Sequence, residues 1–181
     1  MRAFIPLRVN EKKYEIYSRY KHFLKDLGYE TFFGTTINKD DISFFDILLL
    51  PGGGDIYDDH LTDIYDLSSF NTFYNNKKKI LGICRGIQVI NFALGGTLKN
   101  IKNHENTRHK LKKLHVKTNS YHHQAIDRLS KDLSAIDFSS DGIIEIVSGK
   151  NILAFQFHPE LEDEKKRKFW INYINKNLIN T

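Results

Sequence analysis

Lys79-Ile80-Leu81-Gly82-Ile83-Cys84-Arg85-Gly86-Ile87-Gln88-Val89-Ile90-Asn91 decides the fold. Lys79–Ile83 reads as a buried strand and Arg85–Leu94 as the helix behind it, with Cys84 on the turn between them. Gly82 and Gly86, two positions to either side, let the backbone bend sharply there. The G-x-S-x-G elbow of serine hydrolases holds a strained nucleophile in the same way. A thiol at the first turn of a helix also meets the positive end of the helix dipole, which favours thiolate. Cys84 is the only cysteine in the chain. Free cysteines are often simply buried, so a catalytic reading needs a base elsewhere.

Working outward, strands and helices alternate. Arg2–Leu7 reads as a strand. Lys13–Leu27 places Ile16, Tyr17, Tyr20, Phe23, Leu24 and Leu27 at helical spacing, and Gly28 stops it. Tyr29–Phe33 and Asp46–Leu50 read as strands, and Leu67–Asn76 as a helix. After Gly96 the pattern turns to short β runs at Leu114–Thr118, Ala135–Phe138, Ile143–Val147 and Ile152–Phe157. Glu162–Leu178 closes as an amphipathic helix using Phe169, Trp170, Tyr173, Ile174 and Leu178. This order predicts an α/β fold: a doubly wound, mostly parallel sheet flanked by helices, with a small antiparallel β extension. No repeat or linker divides residues 1–181, so one domain is expected. Asn100–Lys113 is the most loop-like stretch, expected at the rim of the site.

The base is found in Phe155-Gln156-Phe157-His158-Pro159-Glu160, at the carboxyl end of the last apolar run. His158 and Glu160 are two apart and share a face in extended backbone. A carboxylate beside an imidazole fixes its tautomer and stabilises the imidazolium formed when it takes a proton. Asp46-Ile47-Leu48-Leu49-Leu50-Pro51-Gly52-Gly53-Gly54-Asp55 adds a strand running into a glycine turn, where backbone N–H groups can approach a ligand closely. No phosphate-loop or dinucleotide fingerprint is present, so an oxyanion role suits the turn better. A metal site is not expected, because no further cysteine or acidic ligand falls at suitable spacing.

These segments, with Asn119-Ser120-Tyr121-His122-His123-Gln124-Ala125 and Asp141-Gly142-Ile143-Ile144-Glu145, stand in an order that resembles the class I glutamine amidotransferase family. Arg85 after the cysteine and Gly95-Gly96-Thr97-Leu98 after the helix resemble its γ-glutamyl-γ-aminobutyrate hydrolase branch, peptidase C26. The resemblance covers about residues 46–160. It implies a flavodoxin-like fold, Cys84 as nucleophile, His158 as general base and acid, and Glu160 as its orienter. It implies oxyanion donors at Gly53 and Arg85, with Gly52, Gly54, Gln88, Ser120, Tyr121 and His122 around a γ-glutamyl group. The implied reaction is hydrolysis of a γ-glutamyl amide through a thioester, with no cofactor. Two alternatives stay open: a glutaminase subunit passing ammonia to a partner synthetase, and a non-catalytic binding protein on the same scaffold. The chain departs from the branch where Asp55–Lys79 and Gly96–Asn119 are compressed, where Asp58-Asp59 stands in place of a proline, and where Phe157 replaces a common tryptophan. Those departures bear on the leaving amine and not on the triad.

Composition sets the remaining bounds. The 181 residues carry a net charge of +5, with 27% charged and 40% hydrophobic side chains. The basic residues are scattered, and Glu162, Asp163 and Glu164 precede Lys165, Lys166, Arg167 and Lys168 in the order that complements a helix dipole. No nucleic-acid partner is expected. One cysteine allows no internal disulfide, and no run of about 20 apolar residues suits a membrane span. The expected protein is cytoplasmic, acts on a small molecule, contacts no membrane and is compatible with a homodimer.

Overall fold

The computed structural model describes residues 1–7, 13–38 and 40–180; the side chains of residues 13–16, Ile16 among them, lie outside the described set. In chain order the elements are β1 (Arg2–Pro6), α1 (Lys13–Asp26), β2 (Glu30–Gly34), β3 (Ile47–Leu50), α2 (His60–Asn75), β4 (Lys79–Ile83) and α3 (Arg85–Ala93). There follow β5 (Leu98–Asn100), β6 (Thr107–Lys110), β7 (Lys117–Ser120), β8 (Gln124–Ile126), β9 (Leu133–Phe138), β10 (Ile144–Gly149), β11 (Ile152–Phe155) and α4 (Glu164–Ile174). The main sheet has the order β2-β1-β3-β4-β11-β10-β9. Its first five strands run parallel, and β10 and β9 pair antiparallel beyond them. Two small antiparallel ribbons, β5/β8 and β6/β7, stand apart from this sheet.

The core explains the layering. β3 and β11 are buried along their whole length, as strands covered on both faces must be. Alternate residues divide the core: Ile47 and Leu49 face one apolar cluster, Leu48 and Leu50 the other. The first cluster takes Tyr20, Phe23, Leu24 and Leu27 from α1 and Trp170 and Ile174 from α4. The second takes Phe70 and Phe73 from α2 and Ile87, Val89 and Ile90 from α3. The sheet is therefore sandwiched by α1 and α4 on one side and α2 and α3 on the other. Phe157 is fully buried, its ring 4.8 Å from that of Trp170. Among the described residues, no helix is long and apolar enough to cross a membrane.

Three elements differ from expectation. Helix α2 starts at His60, well before Leu67, because the Asp59 side chain accepts from Leu61 N (3.0 Å) and Thr62 N (3.2 Å) and caps it. Strand β7 covers Lys117–Ser120 and not Leu114–Thr118. Leu114 belongs to a turn whose Lys113 and Leu114 N–H groups both donate to the Asp137 carboxylate, at 2.9 and 2.8 Å. The segment expected to be a loop contains β6, and α4 begins after Glu162 because Asp163 caps it.

Helix α3 lies very close to β3. A Cβ on Gly86 would stand 2.2 Å from the carbonyl oxygen of Leu50, which is backbone inside the sheet and cannot move aside. Gly86→Ala is expected to destabilise the fold by about 2 kcal/mol or more. Urea denaturation checks this; a loss near zero would mean that α3 can lift from the sheet without cost.

Candidate active site

The carboxyl ends of β3, β4 and β11 meet at one edge of the sheet. In open α/β sheets this is where ligands bind. Cys84 follows β4 with φ +52° and ψ −106°, a conformation that L residues rarely adopt. Such a backbone costs on the order of 1–3 kcal/mol and persists only where its surroundings hold it. Here the Cys84 N–H donates to the Phe155 carbonyl at 2.7 Å, and its own carbonyl accepts from Ile87 N at 3.1 Å. The thiol is thus presented on a turn pinned at both ends. The Arg85 N–H is the first of α3 and has no acceptor within the helix.

His158 follows β11, the strand beside β4. Its Nδ1 lies 2.7 Å from Glu160 Oε1, and the Glu160 side chain is 2% exposed. Glu160 Oε2 is buried with no hydrogen-bond partner, so this carboxylate is directed chiefly at the imidazole. The turn that carries His158 is clamped by Asn119 on β7. Asn119 Oδ1 accepts from His158 N at 2.9 Å, and its Nδ2 donates to His158 O at 2.7 Å. Glu162 holds Asn119 in turn, accepting from its N–H and from its side-chain amide at 2.8 and 3.0 Å. Sequence reasoning placed Asn119 in a motif without giving it a role; a side chain that binds both backbone groups of another residue leaves no spacing signature.

The imidazole of His158 keeps its proton to well above the ordinary 6.5. Burial is the largest influence and opposes the charge, but Glu160 and then Cys84, by charge and hydrogen bond, outweigh it. The folded protein therefore binds this proton more tightly than the unfolded chain does. The resulting stabilisation is complete below about pH 6.5 and is lost as pH rises through the raised folded value.

The glycine turn after β3 packs against this pair. A Cβ on Gly52 would stand 2.8 Å from His158 Cε1, 3.1 Å from Tyr20 Oη and 3.5 Å from Cys84 Cβ. Only glycine lets the turn come so close. The Gly52 N–H donates to Tyr20 Oη at 2.8 Å, and Gly53 lines an open cleft with Arg19, Tyr20, His158 and Glu160. Gly54 is held from the other side, its carbonyl accepting from Arg85 Nη1 at 3.2 Å. The Arg85 side chain is 2% exposed and also binds Asp63 (2.6 Å) and Asp66 (3.2 Å) of α2. Its guanidinium is committed to holding the turn and cannot extend toward a ligand.

The remaining expected residues divide. Tyr121 is half exposed, its ring centroid 5.8 Å from that of His158. Gln88 is buried and donates to the Gln124 carbonyl at 2.9 Å. Ser120 is buried and donates to the His104 carbonyl at 2.5 Å. His122 corrects its expected place beside the substrate. Its ring turns inward, with Nδ1 3.0 Å from the Gln124 carbonyl and Nε2 3.4 Å from His104 Nδ1. Burial, opposed by that carbonyl and reinforced by the neighbouring histidines, pushes its pKa down to about 3. The expectation that no acidic group joins the histidines also fails: Glu145 of β10 comes within 4.8 Å of His104, His109 and His122. Burial raises the Glu145 pKa against the pull of His109 and His104.

Known proteins resemble this chain in sequence and in fold. The family described as glutamine amidotransferase class-I matches residues 15–176. A glutamine amidotransferase-like protein of Lactococcus lactis is 28% identical over 162 residues, 67% of this chain and 69% of that protein. The gamma-glutamyl-CDP-amidate hydrolase of Campylobacter jejuni is 29% identical over 165 residues, 88% of this chain and 73% of that one. The carbamoyl phosphate synthase small chain of Thermoplasma volcanium is 29% identical over 150 residues, 77% of this chain but 43% of that protein. Among solved structures, a GMP synthase subunit protein from Thermoplasma acidophilum superposes with a TM-score of 0.77 at 23% identity, over 97% of this chain and 92% of that one.

Two measurements test the site. Cys84→Ala should lower the pKa of His158, read by heteronuclear NMR of the imidazole; an unchanged value would mean that the thiol places no charge on the ring. Asp66→Ala, which leaves the buried guanidinium short of a partner, should cost about 3–5 kcal/mol by urea unfolding. A loss below about 1 kcal/mol would mean that Asp63 alone compensates the charge.

Proposed function

We propose that this chain, which belongs to the glutamine amidotransferase class I family, hydrolyses a γ-glutamyl amide with Cys84, His158 and Glu160. The observation that carries this reading is the placement of a strained, pinned cysteine beside a histidine locked at 2.7 Å to a buried carboxylate. The Cys84 thiolate attacks the γ-carbonyl carbon. The oxygen of the tetrahedral intermediate takes up negative charge and accepts hydrogen bonds from the Gly53 and Arg85 N–H groups. The His158 imidazolium donates its proton to the amide nitrogen as the C–N bond breaks, and the amine leaves. A γ-glutamyl thioester remains on Cys84. Water then attacks the thioester carbonyl and gives its proton to His158. Collapse of that intermediate expels the thiolate and frees glutamate. The sum is amide plus water to glutamate plus amine, and no step calls for a metal or cofactor.

In this reading Gln88 and the Ser120-Tyr121 backbone hold the α-amino and α-carboxylate of the γ-glutamyl group. Arg19 lines the cleft and gives it a cationic edge. An anionic leaving group such as a nucleotide-linked amine or an amino acid suits it better than bare ammonia. The likeness to a hydrolase that acts on a nucleotide-linked amide points the same way. The likeness to a carbamoyl phosphate synthase small chain favours a second reading, in which the same triad releases ammonia for a synthetase.

Glutamate release by the purified chain decides between them. The panel is glutamine, γ-glutamyl-γ-aminobutyrate and a nucleotide-linked γ-glutamyl amide, with Cys84→Ala as control. The expected result is turnover of an anionic amide by the isolated chain, glutamine being poor, and a loss of about 10³-fold or more in Cys84→Ala. Turnover that survives the substitution would remove Cys84 from the chemistry. Release only from glutamine, and only with a synthetase present, would establish the second reading.

A further inference from the structure

Outside the cleft, three histidines and a glutamate converge on one point. His104 precedes β6, His109 lies on it, His122 follows β7, and Glu145 sits on β10. His104 Nδ1 is 3.4 Å from His122 Nε2. Glu145 Oε1 is 2.9 Å from His109 Nε2, 3.8 Å from His104 Nδ1 and 3.8 Å from His122 Nε2. Four ligands placed tetrahedrally at about 2.0–2.1 Å from a zinc ion would be about 3.3 Å apart. These four separations lie around that value, and all four atoms fall within 4.8 Å of one another.

The protons are arranged for a cation. His104 Nε2 is 2.9 Å from Asp141 Oδ2, and a carboxylate accepts, so the proton of a neutral His104 sits on Nε2. His122 Nδ1 faces the Gln124 carbonyl, which also accepts, so its proton sits on Nδ1. Both inward nitrogens, His104 Nδ1 and His122 Nε2, are then lone pairs facing each other with no proton between them. His104 and His122 are 2% and 3% exposed. Glu145 is 0% exposed, and neither of its oxygens has a hydrogen-bond partner. His109 Nε2 is also buried without one, because its close approach to Glu145 lacks hydrogen-bond alignment. Four inward-facing donor atoms left in this state would be costly in an apolar interior.

We propose that this chain holds one zinc ion through His104 Nδ1, His109 Nε2, His122 Nε2 and a Glu145 carboxylate oxygen. Three imidazoles and a carboxylate suit a borderline divalent ion; magnesium and calcium prefer all-oxygen sets, and copper(I) prefers sulfur. Four protein ligands complete the tetrahedron and leave no position for a reacting water, so the ion is structural. Asp141 and the Gln124 carbonyl orient two of the rings. The ion would tie the β6/β7 ribbon and the following turn to β10 of the main sheet. Tyr121 lies between His109 and His122 in the chain, and its ring is 5.8 Å from that of His158, so the ion would also steady a neighbour of the imidazole.

The test uses the full chain, stripped with chelator and titrated with Zn²⁺, then with Co²⁺ as a visible probe. One equivalent should bind, the Co²⁺ form should show the intense absorption of a four-coordinate ion, and X-ray absorption of the Zn²⁺ form should show nitrogen and oxygen neighbours without sulfur. The stripped chain should also melt at a lower temperature than the loaded one. His109→Ala and Glu145→Gln should each weaken binding at least tenfold. Asp141→Asn, at an exposed position, should weaken it about 10–100-fold through His104. Cys84→Ser should leave the stoichiometry at one. Failure of the folded wild-type chain to bind micromolar Zn²⁺ would overturn the proposal. So would a sulfur neighbour, or binding lost in Cys84→Ser but kept in Glu145→Gln, since the ion would then sit in the cleft. None of these readouts depends on turnover, so the metal and the γ-glutamyl chemistry can fail separately.

Discussion

The hydrogen bond from Cys84 N–H to the Phe155 carbonyl, at 2.7 Å, is the contact on which the site rests. It extends the ladder that pairs Ile83 with Phe155, one residue past the end of β4. Because the strands are parallel and adjacent, both continue toward the same edge of the sheet. The thiol leaves one strand and His158 leaves the other a few residues later. Shifting β11 by one residue would turn every one of its side chains to the opposite face. The fully buried Ile152–Phe155, split between two apolar layers, makes such a slip very costly. The core thereby sets the alignment of groups that are themselves polar.

Arg85 shows how a charge can serve the same end. A buried ion pair is weak evidence for stability, because removing both charges from water costs about as much as their attraction returns. What this one contributes is position. The guanidinium joins α2, through Asp63 and Asp66, to the carbonyl of Gly54, and its own backbone begins α3 beside Cys84. Tyr20, from the opposite layer, holds the Gly52 N–H. The glycine turn is thus fixed from both faces of the sheet although it has almost no side chains of its own. That rigidity is what the oxyanion donors proposed at Gly53 and Arg85 would require, since preorganised N–H groups need no rearrangement during a reaction.

The parts of this arrangement that are local in sequence were legible in it. The Lys79–Asn91 strand, turn and helix, the Gly52–Gly54 turn and the His158–Glu160 pair each depend on neighbours within a few residues. The central sheet and its flanking helices followed from periodicity. What escaped depends on contacts between distant segments. Asn119 gains its role from His158, Tyr20 from Gly52, and Glu145 from histidines on other elements. The Leu114–Val116 stretch misled because apolar content suggested a strand, while Asp137, from β9, drew its N–H groups into a turn. Helix α2 was underestimated because its first half mixes Asp63, Asp66 and exposed Leu61 and Ile64, which blurs the apolar stripe. The acids blurring it are those that bind Arg85, a contact with a distant segment that leaves no mark on the periodicity.

The two ribbons raise a further physical point. An isolated two-stranded ribbon is marginal in water and needs a hydrophobic face or an anchor. The β6/β7 ribbon has little of the first: it carries Arg108, His109 and Lys110 on one strand and Lys117, Thr118, Asn119 and Ser120 on the other. Yet Asn119, on this ribbon, clamps the turn that carries His158. Leu111, in the turn joining the two strands, is buried in the core with Leu114 and Val116 packed beside it, and polar contacts hold the strands themselves. Glu162 does so at one end, binding Arg108 at 2.6 Å and Asn119 at 2.8 Å. At the other end the candidates are His104, His109 and His122, facing Glu145 on the main sheet. Joined by a cation, that cluster would become the second anchor. The position of His158 would then be set by the apolar register of β11 on one side and by polar anchors on the other.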